Sequence, residues 1–135
     1  LAGYLRLIPP ELCRTFENKM VNIHPALLPA FGGIGMHGAK VHEAVVKSGA
    51  RFTGPTVHFV NENFDEGKIV AQRSIRIDPS WTADEVQRRV LKEEHDVFPE
   101  VVAALCDDRI EFREEDGVGV IVDARLGSDG ERRCY

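Results

Sequence analysis

The sequence predicts an α/β chain built on a layered sheet. Three observations predict it. Short apolar runs with strand character alternate with stretches of helical spacing, Pro and Gly separate the runs, and a capping-box pattern opens one long helical stripe.

Taken in order, Leu1-Ala-Gly-Tyr-Leu-Arg-Leu-Ile8 reads as the end of a buried strand that turns at Pro9-Pro10, with a short helix over residues 10–17. Met20-Val-Asn-Ile-His24 is a second strand, closed by Pro25 and Pro29. Residues 30–38 carry four glycines and read as loop. Val41, Ala44, Val45 and Val46 are spaced as a helix, which Ser48-Gly49 ends. Thr56-Val-His-Phe-Val60 is strand, residues 61–67 are polar loop, and Lys68 to Ile77 is strand again. Thr82-Ala-Asp-Glu85 is a capping box; the helix it opens has Val86, Val90, Val97, Val101 and Leu105 on one stripe. Pro99 is expected to kink or interrupt that helix. Ile110 to Arg113 and Val118 to Val122 suit a hairpin around Glu115-Asp-Gly117, and a polar, frayed tail follows over 123–135. There is no internal repeat and no sign of a second domain.

A chain of 135 residues suits one domain or part of a larger one. Hydrophobic residues at 43% and charged residues at 29% supply a core and argue against disorder. Lys plus Arg number 17 against 22 Asp plus Glu, so bulk charge does not favour a nucleic acid partner. No apolar run approaches the roughly 18 residues of a membrane span, and no signal-peptide pattern opens the chain. Cys13, Cys106 and Cys134 are far apart and form no C-x-x-C pair, which argues for a reducing compartment rather than a disulfide framework. The chain opens on Leu1 inside an apolar run, so a fragment or a processed product is expected.

Several residues are candidates for chemistry. Asn22 and His24 stand two apart on a strand and therefore share a face. They sit at its C-terminal end, where α/β sheets bind ligands, and both can donate to a developing oxyanion. A core histidine beside a strand-end cap is the plainer reading. Asn61-Glu-Asn-Phe-Asp65-Glu-Gly67 offers a carboxylate that, beside His24, would raise its pKa and fix its tautomer; a solvated acidic loop is the alternative. Gly33-Ile-Gly35-Met-His-Gly38 matches G-x-G-x-x-G, but Pro25, Pro29 and Phe31 separate it from the strand, so a loop near the site is expected instead of a dinucleotide turn. Glu94 occupies a position where the stripe calls for an apolar residue; it either contacts a ligand hydroxyl, or sits at the edge of the stripe and snorkels out or pairs with Arg89 or His95. His37 and His42 lack zinc-helix spacing and His58 lies within a strand, so no metal is expected.

At Val21-Asn-Ile-His-Pro-Ala-Leu-Leu-Pro29 the sequence resembles the active-site strand of glycinamide ribonucleotide formyltransferases. Leu1-Ala-Gly-Tyr-Leu-Arg-Leu-Ile8 is similar to that family's folate-contacting segment. Gly54-Pro-Thr-Val-His-Phe-Val60 with Asp65-Glu-Gly67 resembles its signature, and Glu93-Glu-His95 with Pro99 its late helix. The wording around Phe31 to Val46 and Arg51 to Gln72 is similar to plant-type and some bacterial members. Pro25 after the histidine separates the chain from formyltetrahydrofolate hydrolases and from methionyl-tRNA formyltransferases, which differ there.

The resemblance implies a formyltransferase fold, a Rossmann-like layered sheet. Residues 1–122 would form the C-terminal part of a single domain whose first strands and phosphate loop precede Leu1. It implies transfer of a formyl group from 10-formyltetrahydrofolate to the amine of 5-phosphoribosylglycinamide, with no metal. His24 and Asn22 would stabilise the tetrahedral oxyanion, Asp65 would keep His24 cationic, and Glu94 would hold the acceptor's ribose hydroxyls. Leu5, Arg6, Leu7 and Ile8 would line the pterin pocket with Asn22, opposite Val60. Cytoplasm and plastid stroma both suit such an enzyme, and a homodimer is left open. A folate-dependent hydrolase is the rival enzyme; a truncated, non-catalytic folate- or partner-binding remnant is the rival of another class.

Overall fold

The structure, a computed structural model, describes residues 1–113 and 117–122. In chain order its elements are α1 (Pro10–Thr15), β1 (Val21–His24), α2 (Ala39–Ser48), β2 (Phe52–Thr53), β3 (Thr56–Phe59), β4 (Ile69–Gln72), β5 (Ile75–Arg76), α3 (Ala83–Cys106), β6 (Ile110–Phe112) and β7 (Gly119–Ile121). The expected tail over 123–135, and residues Glu115 and Asp116 of the expected turn, lie outside the described residues.

The site rests on the sheet β1-β3-β4, antiparallel throughout. The register sets Val21 opposite Phe59, Asn22 opposite His58, Ile23 opposite Val57 and His24 opposite Thr56; Thr56 in turn faces Gln72. Alternation then sorts the side chains. One face carries Val21, Ile23, Val57, Phe59 and Ala71, which bury against Val97, Val101 and Ala104 of α3. The other carries Asn22, His24, Thr56, His58 and Gln72. A polar face on so buried a sheet is costly unless every group finds a partner.

α3 joins two cores. Its second half covers the sheet, while Val86 and Val90 in its first half pack with Val41 and Val45 of α2 and with Ala26 and Ile77. The capping box is present: Thr82 Oγ1 accepts from Glu85 N–H and the Glu85 carboxylate accepts from Thr82 N–H. Gly49, in the left-handed region at φ 72°, ends α2 as its spacing predicts.

Three expectations need correction, and one short strand has no counterpart among them. Residues 1–8 are not a strand beyond a single rung. The Leu1 amino group donates to Val21 C=O and Ile23 N–H donates to Leu1 C=O, the pattern of one parallel rung on β1. Gly3, at φ 64°, then takes the chain out of extended geometry. The expected strand over 68–77 is two strands in two sheets, since β4 pairs with β3 and β5 with β2. The crossing is made at Arg73, whose N–H donates to Pro55 C=O at 3.2 Å, and Gly54 leaves room for it: a Cβ there would lie 1.8 Å from Arg73 O. β2, two residues long, is too short for a periodic signal. Finally, α3 runs from Ala83 to Cys106 through Pro99. The proline removes one backbone bond, while Val97, Val101 and Ala104 on either side of it are fixed in the core.

Candidate active site

Asp65 lies in the loop after β3 and reaches both imidazoles of the polar face. His24 Nδ1 is 3.4 Å from Asp65 Oδ2, and His58 Nε2 is 3.5 Å from Asp65 Oδ1. The Asn22 amide nitrogen stands 3.3 Å from His58 Nε2. His58 Nδ1 donates to Phe59 C=O at 2.9 Å, and its Nε2 stands between the Asn22 amide and the Asp65 carboxylate. His24 Nε2 donates to Phe31 C=O at 2.8 Å. Gly33 N–H donates to Asp65 Oδ2 at 2.9 Å. The loop following β1 is thus tied to both His24 and Asp65. Its ties are made from left-handed backbone, with φ 56° at Phe31, 90° at Gly33 and 57° at Asp65. For a residue as bulky as Phe31 that conformation is strained and persists only where its surroundings impose it.

Burial and the Asp65 carboxylate act on His24 in opposite directions. At 3% exposure the imidazole is pushed below its ordinary pKa by desolvation. The Asp65 carboxylate and the Phe31 carbonyl pull the other way without reversing the direction, and His58 adds a smaller push down. The Asp65 carboxylate acts in the direction the sequence leads one to expect, toward the cation, and burial opposes it. For Asp65 burial would raise the pKa; hydrogen bonds from His58 and Gly33, with the charge of His24, outweigh it and hold the carboxylate below its ordinary range. On α2, burial and then the neighbouring His24 depress His42 as well.

A cleft of about 580 Å³ opens over Asn22, His24 and Asp65. The Gly33–Gly38 loop forms one wall and α3 forms another, with Gln87, Leu91 and Glu94. Glu94 is half-buried, has no hydrogen-bond or ion-pair partner among the described residues, and has its pKa raised by burial against a weak pull from His95. The pairing with Arg89 offered by the sequence is not made; Arg89 stacks on Trp81 instead, 3.9 Å from the ring centroid. Leu5 lines this cleft, whereas Arg6, Leu7 and Ile8 meet Asn22, His58 and Val60 around an adjoining crevice of about 50 Å³. A larger hollow of about 760 Å³ lies beyond the Asp65 loop and touches neither Asn22 nor His24. Among the described residues no cluster of three or more His, Cys, Asp and Glu is placed to hold a metal, and no helix is long and apolar enough to cross a membrane.

The structure therefore gathers Asn22, His24 and Asp65, with Glu94 on the rim of the same cleft. His58 was missed as a partner of Asp65. The signal was present: Thr56-Val-His-Phe has the same parity as Val-Asn-Ile-His, but one strand alone does not reveal which residues face each other across a sheet.

Comparison with known proteins bears on the same segments. The family model described as formyl transferase matches residues 1–102. The chain is 57% identical over 121 residues to the chloroplastic phosphoribosylglycinamide formyltransferase of Arabidopsis thaliana, covering 90% of this chain and 41% of that protein. Among solved structures, phosphoribosylglycinamide formyltransferase from Anaplasma phagocytophilum superposes with a TM-score of 0.81 at 30% identity, over 92% of this chain and 58% of that one. A formyltetrahydrofolate deformylase from Pseudomonas syringae gives 0.76 at 29% identity, over 89% and 38%. The chain thus spans about half or less of the length of these relatives. With the formyltransferase fold shared at this level and the family model matched across residues 1–102, this chain belongs to the formyl transferase family.

Proposed function

We propose that the chain carries the catalytic part of a phosphoribosylglycinamide formyltransferase. The amine of 5-phosphoribosylglycinamide attacks the formyl carbon of 10-formyltetrahydrofolate, giving a tetrahedral oxyanion. Collapse breaks the bond from the formyl carbon to N10; one proton leaves the amine and one is delivered to N10. The observation that carries this reading is the convergence of Asn22, His24 and Asp65 under one cleft, with the unpaired Glu94 at its rim. In it, Asn22 and the protonated His24 donate to the oxyanion. The His24 Nε2–H now donates to Phe31 C=O, so a formyl oxygen must share or displace that carbonyl. Asp65 favours the imidazolium as charge develops and accepts the proton from the amine. Glu94 accepts from the ribose hydroxyls, and Arg6 to Ile8 with Val60 seat the pterin. The plant relative's chloroplastic name supports a plastid home over the cytoplasm.

The deformylase neighbour supports a second reading, hydrolysis of the same formyl donor to formate. The test is to supply the intact protein with 10-formyltetrahydrofolate, with and without 5-phosphoribosylglycinamide. Transfer that requires the acceptor supports the proposal. Release of formate at the same rate without the acceptor overturns it in favour of the hydrolase.

A further inference from the structure

His42 has no part in the mechanism above, and its surroundings leave its ring unsatisfied. The residue is 3% exposed, yet among the described residues neither ring nitrogen makes a hydrogen bond, and Nδ1 is sealed from solvent without a partner. The other two buried imidazoles of the site do find partners inside the chain: His24 Nε2 on Phe31 C=O, and His58 Nδ1 on Phe59 C=O. A buried polar group left unpaired is costly, and a partner from outside the chain is one way to remove the cost. Thr53 Oγ1, also buried without a partner among the described residues, does not line the cleft; His42 does.

The packing of α2 fixes the ring in that place. Val41 and Val45 on either side of His42 are fully buried against Val86 and Val90 of α3. This seats the start of α2 against the half of α3 that brings Gln87, Leu91 and Glu94 to the cleft. His42 also lies near enough to His24 to feel its charge. Burial is the larger influence and holds the His42 ring toward its neutral form. A neutral imidazole has one N–H to donate and one lone pair to accept, and here both are unused.

The acceptor has a group that matches. In 5-phosphoribosylglycinamide a secondary amide joins the amine to the ribose, with one C=O and one N–H. In the reading above the amine meets Asp65 and the ribose hydroxyls meet Glu94, while the amide between them is given no side chain. Taken out of water in the cleft, that amide needs partners as much as the ring does. Among the described residues lining the cleft, His42 alone combines burial with unused hydrogen-bonding atoms.

We propose that His42 is an acceptor-binding residue: its imidazole hydrogen-bonds the amide of the bound acceptor and so selects an acceptor in which an amide joins the amine to the ribose. The proposal rests on the formyl-transfer reading for the identity of the acceptor, and on the unpaired ring for the contact.

The test measures binding by calorimetry on the intact protein and on His42→Leu and His42→Phe. The two ligands are 5-phosphoribosylglycinamide and its analogue with CH2–CH2 in place of the amide, which keeps the amine, the ribose and the phosphate. His42→Leu is expected to weaken the glycinamide about tenfold, the scale of one hydrogen bond to a buried group, and to leave the analogue nearly unchanged. His42→Phe keeps a ring in the wall, is expected to give the same difference, and carries the test if the leucine variant does not fold. The difference between the ligands separates a contact to the amide from a change in cleft shape, which moves both together. In formyl transfer the same variants are expected to raise KM for the acceptor with kcat little changed. Weakening of the analogue as large as that of the glycinamide, or of neither ligand, overturns the proposal; the ring then only packs the wall or holds a trapped water. If the unmutated protein binds neither ligand, the formyl-transfer reading fails and the proposal fails with it.

Discussion

At the scale of single residues, the site sets two demands on His24 against each other. Burial favours the neutral ring, while the proposed donation to an oxyanion favours the cation. Asp65 is the group that narrows this gap, so the Asp65→Asn variant should lose at least about tenfold in transfer rate. The sign of the pH effect follows. Removing a carboxylate that raises the His24 pKa lowers it further; less of the cation remains at a given pH, and the basic limb of the rate profile moves to lower pH. A profile measured across neutral pH that does not move removes Asp65 from this role. Glu94 is a different case, since it is half-buried with no partner among the described residues. If the acceptor supplies that partner, Glu94→Gln weakens acceptor binding by about tenfold, in line with hydrogen bonds to charged groups, and shows as a raised KM with kcat little changed. A fall in kcat at constant KM would place Glu94 in the chemistry instead. Asn22 and His24 were legible from strand alternation, and Asp65 as a carboxylate in a nearby loop. His58 was not, because its partner is chosen by cross-strand register.

At the scale of elements, the two ends of the site depend on glycine and on a cap. Gly67 opens the approach of β4 to β3: a Cβ there would lie 1.6 Å from Phe59 O, a backbone atom that cannot swing aside. Gly67→Ala is expected to cost stability at or above the upper end of the about 1–3 kcal/mol typical of overpacking, and it should disturb Asp65 two residues away. Urea unfolding gives the first quantity and the transfer rate the second; a stable variant of normal rate would mean that the loop yields more easily than its contacts imply. At the far side of the cleft, Thr82→Ala removes the cap of α3 and should cost about 1 kcal/mol, read as a lower unfolding midpoint at constant urea dependence. α3 was legible because its cap and its stripe agree over 24 residues. The break within 68–77 is not legible, because alternation carries no information on where a chain changes sheet; the close contact of Gly54 with Arg73 lies at that point. Residues 1–8 have the apolar composition of a strand, but Gly3 breaks the extension.

At the scale of the whole molecule, the site makes folding sensitive to acid in two steps. His24 and His42 both have pKa values below their ordinary 6.5 in the folded chain, with burial as the first cause for each. The unfolded chain therefore takes up protons near 6.5 that the folded chain refuses, and stability falls as pH drops from there toward the folded values. Asp65 acts later: its folded pKa lies below 3.8, so its contribution holds above that value and is lost as pH falls through the folded one. Catalysis draws on the same equilibrium from the opposite side, since the proposed oxyanion donor is the protonated ring that folding disfavours. Both histidines contribute to the first step, but only His24 belongs to the proposed chemistry. His42→Leu should therefore flatten the loss of stability between pH 7 and 5.5 while leaving the Asp65 step below pH 4 in place. The check is the urea midpoint of the intact protein and of the variant at pH 7.5, 5.5, 4 and 2.5. Identical acid dependence in the two would show that His42 gains no proton on unfolding in this window, and the first step would then belong to His24 alone.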